Sequence, residues 1–212
     1  MVKAVIFDLD NCLSPGREVP ERIYQPGFDA IRAANDGHLS EEQLERAFED
    51  AWRLAIDDVG ERHGFSDAMH EAAMKAFGEV MMDEPMRGYG DLHLLREIPT
   101  RRFLVTSGFR RLQESKIRAL DVADLFDGIV IDAIDEPGRR GKEGIFRDIL
   151  REEGLAPEEV LVVGDNPDSE LAAGERLGCR TIQILRPGVH RAERAWRYIH
   201  TLGDLVKILE EE

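Results

Sequence analysis

Cysteine is nearly absent from this chain. Only Cys12 and Cys179 occur, far apart and without a second pair, which excludes a disulfide framework and a thiolate zinc site and points to a reducing, cytoplasmic setting. Positive charge is also scarce, with 28 Lys and Arg against 43 Asp and Glu and a formal net charge of -15. Nucleic acid and anionic membranes are held mainly by clustered cations, so neither is an expected partner. Long apolar runs are missing: the first is interrupted by Asp8 and Asp10, too early for a signal-peptide core, and no stretch approaches the length that spans a bilayer. There is no internal repeat, heptad pattern or low-complexity segment, the acidic end Glu210-Glu211-Glu212 reads as solvated, and no protein partner is indicated. What is present, 212 residues of which 42% are hydrophobic, suffices for one α/β domain or for a core with a small insert.

The hydrophobic pattern changes twice along the chain. Val2 to Phe7 is an apolar run of strand length ending at Asp8-Leu9-Asp10-Asn11. After the turn signal Ser14-Pro15-Gly16 comes a long section that reads as helix. Ser40-Glu41-Glu42-Gln43 is a capping-box pattern, Leu44, Phe48, Ala51, Trp52 and Ala55 follow at helical spacing, and Gly60 or Gly64 ends that helix. Ser66 starts another, with Met69, Ala73, Met74, Phe77, Val80 and Met81 as its apolar stripe before Pro85. From Tyr89 onward strands alternate with helices: Arg102 to Thr106, Gly128 to Asp132, Val160 to Gly164 and Arg180 to Leu185, with helices from about Arg110, Glu143 and Asp168 between them. The expected fold is a Rossmann-like α/β parallel sheet split in sequence by a helical insert.

Chemistry-bearing residues gather where these strands end, the edge at which open α/β sheets bind ligands. Asp8 and Asp10 place two carboxylates just past a buried strand, able to bind a cation and attack phosphorus; the plain alternative is an acidic turn. Thr106 with the amides of Ser107 and Gly108 can hold phosphate oxygens, or serve as an ordinary helix cap. In Gly164-Asp165-Asn166-Pro167-Asp168-Ser169-Glu170, a glycine and an acidic cluster suit a hard cation such as magnesium, while Asp168 and Glu170 also suit a helix start. Lys142 can neutralise phosphate and nucleophile together, or be a solvated lysine.

Taken in this order, each at a strand end, these four sites resemble the haloacid dehalogenase superfamily, most of whose members are magnesium-dependent phosphatases. The resemblance implies Asp8 as nucleophile, Asp10 as acid/base, Thr106 as the second-motif hydroxyl, Lys142 as the third-motif base and Gly164-Asp165 with Glu170 as the acidic fourth motif. It further implies Mg2+ held by Asp8, the backbone carbonyl of Asp10 and Asp165, with Glu170 orienting metal-bound water and Thr106, Ser107, Gly108 and Lys142 contacting the substrate phosphate. Residues 1–17 and 87–212 correspond to the family's core and 18–86 to its helical cap. The third motif is compressed here, leaving Arg139 and Arg140 as alternatives to Lys142, and Cys12 stands where the family commonly has Thr or Val. The activity implied is hydrolysis of a small phosphorylated metabolite through an aspartyl-phosphate. A phosphomutase, a haloacid dehalogenase and a non-catalytic binding protein share the framework. Arg17, Arg22, Arg87 and Arg110 are candidate contacts for a second anionic group, or are simply solvated.

Overall fold

The computed structural model describes residues 1–211; Glu212, the last residue of the acidic tail, lies outside them. β1 (Ala4–Phe7) enters the centre of a sheet and is followed by four helices, α1 (Glu21–Ala34), α2 (Glu41–Asp50), α3 (Ile56–His63) and α4 (Asp67–Phe77). The sheet resumes with β2 (Arg101–Gly108), α5 (Arg110–Ala119), β3 (Gly128–Ala133), α6 (Gly141–Glu153), β4 (Val160–Gly164), α7 (Ala172–Leu177) and β5 (Arg180–Ile184). It closes with β6 (Arg197–Ile199) and α8 (Leu202–Glu210). The strands lie in the order β3-β2-β1-β4-β5-β6, with every neighbouring pair parallel. Strand order reverses at β1, so a crevice opens between the carboxyl ends of β1 and β4.

Alternation along each strand divides the core into two layers. Val5 and Phe7 of β1 pack with Leu104, Leu161 and Val163 beneath α5 and α8, while Ala4 and Ile6 meet Phe146 and Ile149 of α6 and Ala173 of α7. Phe146 is fully buried, and truncating such a side chain to Ala costs about 3–5 kcal/mol.

The insert has an aromatic core of its own. Tyr24 stacks on Trp52 at 4.7 Å, Phe28 on Phe48 at 4.4 Å, and Phe77 meets Phe109 of the sheet domain at 6.0 Å. The first layer of the sheet and the helices therefore share one continuous apolar cluster.

Several expectations are corrected. The helix beginning at Ser40 ends at Asp50 rather than at Gly60 or Gly64, and α3 restarts at Ile56. Both capping-box bonds at Ser40 form, and Gly64 caps α3 with φ of 71°. Periodicity alone does not register the break, because Trp52 turns to stack on Tyr24 and Ala55 is extended, so tertiary packing overrides helical propensity. The Ser66 helix ends at Phe77; beyond it Val80 and Met82 are buried and Met81 is exposed. Strand β2 runs beyond the expected end at Thr106, through Ser107 and Gly108, and the residue that caps α5 is Phe109. The helix expected at Asp168 begins as a single wide turn, Pro167–Leu171, capped by Asn166. Strand β6, only three residues long, and α8 are additions to the expected order.

Candidate active site

The turn after β1 is set by local hydrogen bonds. The Asp8 N–H extends the parallel ladder to the Val163 carbonyl (3.0 Å), and the N–H groups of Leu13 and Ser14 both donate to the Leu9 carbonyl. Asn11 sits at φ 54°, a left-handed conformation that Asn tolerates, and its side chain accepts from Gly16 N–H at 3.0 Å. The chain thereby leaves Asp8 buried and Asp10 one quarter exposed at the strand end.

Strand β4 brings Asp165 and Glu170 beside them. Gly164 is required here, because a Cβ at that position would overlap the Glu170 carboxylate. Glu170 folds back so that its Oε1 accepts from Asn166 N–H at 2.7 Å, and its Oε2 accepts from Lys142 at 2.8 Å. The Lys142 ammonium also donates to Asp8 Oδ1 at 2.7 Å. Of the three third-motif candidates, Lys142 is the one against Asp8. Arg139 pairs instead with Asp132 at 2.8 Å and with Asp57 of α3, and Arg140 pairs with Asp148.

Oxygens of Asp8, Asp165 and Glu170 lie within 4.8 Å of one another. Three carboxylates thus face one ammonium. Burial, partly offset by Lys142 and reinforced by Glu170, pushes the pKa of Asp8 up to about 7. Burial, with Glu170 and Asp8 adding repulsion, pushes Asp165 to about 9. For Lys142, burial works against the charge, but Asp8 and Glu170 outweigh it and its pKa stays above the ordinary value. Excess negative charge in a buried oxygen cluster fits a divalent cation, which would favour the ionised form of each acid.

These groups share a cavity of about 420 Å³ between sheet and helices. Thr106 lies on its wall, 1% exposed, and its hydroxyl has no hydrogen-bond partner among the described residues. Ser107 and Gly108 line the same wall. The Ser107 hydroxyl donates to Asp132 at 3.0 Å, and Asp132 also accepts from Gly141 N–H at 3.1 Å, so one carboxylate braces the end of β2 against the start of α6.

Asp10 stands apart from the acidic cluster. It accepts hydrogen bonds from Lys116 and from Gln113 Nε2 (3.2 Å), both on α5. Lys116, Gln113 and Asp132 escaped the sequence reading, because a polar pair three residues apart on a charged helix resembles a solvated face. Cys12 is fully buried and its thiol lies 3.7 Å from the Val163 carbonyl, in keeping with packing. The arginines expected near a second anion lie elsewhere: Arg17 pairs with Glu49, Arg22 with Asp83 and Glu84, and Arg110 with Glu136, while Arg87 is exposed at the joint. Arg53, Arg139, Arg140 and Arg176 line the cavity in their place.

Residues 2–178 match the family model of the haloacid dehalogenase-like hydrolases. The chain belongs to this hydrolase family. Among curated relatives, glyceraldehyde 3-phosphate phosphatase from Methanopyrus kandleri is 28% identical over 207 residues, covering 88% of this chain and 85% of the relative. The protein of the same name from Methanocaldococcus jannaschii is 24% identical, covering 99% and 98%. Among solved structures, a HAD phosphatase from Thermococcus onnurineus superposes with a TM-score of 0.64 at 21% identity, covering 100% of this chain and 99% of the other. L-2-haloacid dehalogenase from Xanthobacter autotrophicus gives 0.59 at 17%, covering 99% of each. Both similarities establish the fold, a Rossmann-like core with a helical cap. No helix among the described residues is long and apolar enough to cross a membrane.

Proposed function

We propose that this chain is a magnesium-dependent phosphomonoester hydrolase working through an aspartyl-phosphate on Asp8. The observation that carries this reading is the second carboxylate. Asp10 faces the same cavity as Asp8 but is bonded to different partners, so the two acids are held separately, one placed for nucleophilic attack and the other for proton transfer. A carbon-halogen hydrolase would gain little from it.

Asp8 attacks phosphorus in line; a new Asp8 oxygen–phosphorus bond forms, the ester oxygen–phosphorus bond breaks, and Asp10 gives its proton to the departing alkoxide. Water then attacks the aspartyl-phosphate. Asp10 takes the water's proton, the bond between phosphorus and Asp8 breaks, and inorganic phosphate leaves with Asp8 restored. Thr106 donates its unpartnered hydroxyl to an equatorial oxygen, with Ser107 and Gly108 beside it, and Lys142 neutralises charge shared between Asp8 and the phosphoryl group. Magnesium would be held by Asp8 and Asp165, close to Glu170, with the Asp10 carbonyl as the further ligand that the family resemblance implies. It would supply Lewis-acid charge neutralisation for the phosphoryl group.

The two archaeal relatives make glyceraldehyde 3-phosphate the first metabolite to offer. Turnover of 4-nitrophenyl phosphate that requires magnesium and is inhibited by vanadate tests the reaction class. Release of halide from 2-chloropropionate without magnesium would replace this reading with dehalogenation.

A further inference from the structure

A lysine side chain is seldom buried without a charged partner, because desolvating its ammonium costs several kcal/mol. Lys116 is 1% exposed, and its ammonium makes one hydrogen bond among the described residues, to Asp10 Oδ1. Three residues earlier on the same face of α5, Gln113 is 4% exposed and its Nε2 donates twice: to Asp10 Oδ2 at 3.2 Å and to the Ser107 carbonyl at 2.8 Å. Both carboxylate oxygens of Asp10 are thus held from one helix, and that helix is tied by Gln113 to the strand end carrying Thr106. Gly108, with φ of 146°, allows this close approach, since a Cβ there would stand 2.7 Å from Gln113 Nε2.

The two carboxylates that follow β1 have separate holders. Asp8 belongs to Lys142 on α6, Asp10 to Lys116 on α5, and among the described residues no side chain bonds to both. We propose that Lys116, together with Gln113, is a positioning residue that fixes the Asp10 carboxylate over the leaving-group side of the cavity. Without the clamp, rotation about the Asp10 side chain would carry it away from the ester oxygen, and proton transfer demands hydrogen-bond reach of that oxygen. Lys116 itself touches no substrate. It acts through Asp10, and this inference rests on the phosphatase reading above.

The test is single-turnover formation of phosphoenzyme, measured by rapid quench with magnesium and excess enzyme on two substrates. 4-Nitrophenolate leaves with little need of a general acid, whereas the alkoxide of glycerol 3-phosphate needs one. Lys116→Met should slow the alkyl ester at least tenfold more than the aryl ester, and in an Asp10→Asn background it should add less than a twofold further loss. Lys116→Gln, which keeps a hydrogen-bond donor, should recover part of the alkyl rate and serves if Lys116→Met does not fold. Equal losses on both esters, or a full additional loss in the Asp10→Asn background, would overturn the clamp. If the wild-type protein forms no phosphoenzyme from either ester, the phosphatase reading fails instead. A crystal structure of the Lys116→Met protein then decides the clamp: an Asp10 carboxylate in its present position would refute it, and a displaced one would support it.

Discussion

Lys142 Nζ stands 2.7 Å from Asp8 Oδ1 and 2.8 Å from Glu170 Oε2, tying a side chain of the sixth helix to carboxylates that follow two neighbouring strands. Its ammonium is the one cation bonded to that cluster among the described residues. Lys142→Ala should therefore impair phosphoenzyme formation more than Arg139→Ala or Arg140→Ala, whose guanidinium groups pair elsewhere. Removing one partner from a buried ionic group also destabilises by about 3–5 kcal/mol. Stopped-flow rates and denaturant melts of the three variants check both statements, and a more damaging arginine variant would transfer the third-motif role to that residue.

Asp8→Asn should lower turnover by at least about a thousandfold, because an amide cannot form the acyl-phosphate. Far-UV circular dichroism should be unchanged. Full activity in this variant would remove the nucleophile assignment.

Asp165→Ala should raise the magnesium concentration for half-maximal rate by more than about tenfold, since even changes outside the ligand shell commonly cost 10–100-fold in metal affinity. Titrating the rate with MgCl2 reads the shift directly. An unmoved midpoint would take the ligand role away from Asp165.

Metal-free stability should fall as pH rises. Asp8 and Asp165 titrate at about 7 and about 9 in the folded protein against an ordinary value of 3.8. Through that window the folded state binds protons that the unfolded state has lost, so each step up in pH favours unfolding. Melting temperatures in a chelator should decline from pH 5 to pH 9, and magnesium should shrink the decline. A flat profile in the chelator would mean that the cluster is already neutralised by the protein alone.

Trp52 and Arg53 come from the turn between the second and third helices and reach the cavity wall. Trp52→Ala should change relative kcat/KM among larger phosphomonoesters by about 10-fold or more while the smallest ester changes little, the range typical of lost apolar contact in a pocket. Deleting the whole insert is a poorer experiment, because Phe77 covers Phe109 of the sheet domain. An unaltered substrate ranking would place specificity elsewhere.

The strand ends were legible because each joins a contiguous apolar run to a contiguous polar cluster, as in Val160 to Asp165. The break at Trp52 was not, since Ala51, Trp52 and Ala55 satisfy helical spacing whether or not the backbone stays helical. Lys116 was hidden for a different reason: its burial depends on meeting Asp10 across the fold, 106 positions away, and nothing within its own helix foretells that meeting. Asp132 reads in sequence only as the end of a strand, because its oxygens meet the end of β2 and the start of α6 through the tertiary fold.

The central place of β1 also bears on how the protein comes into being. Ala4 pairs with Arg101 on one side and Val160 on the other, so β1 cannot gain its second neighbour until the chain has been made more than 150 residues further on. Lys142, Asp165 and Glu170 likewise follow Asp8 by more than 130 residues. The buried carboxylate cluster is therefore assembled only after β4 has been made, and the apolar β1 needs shelter during that interval, since distant strand pairings form slowly and leave sticky edges exposed.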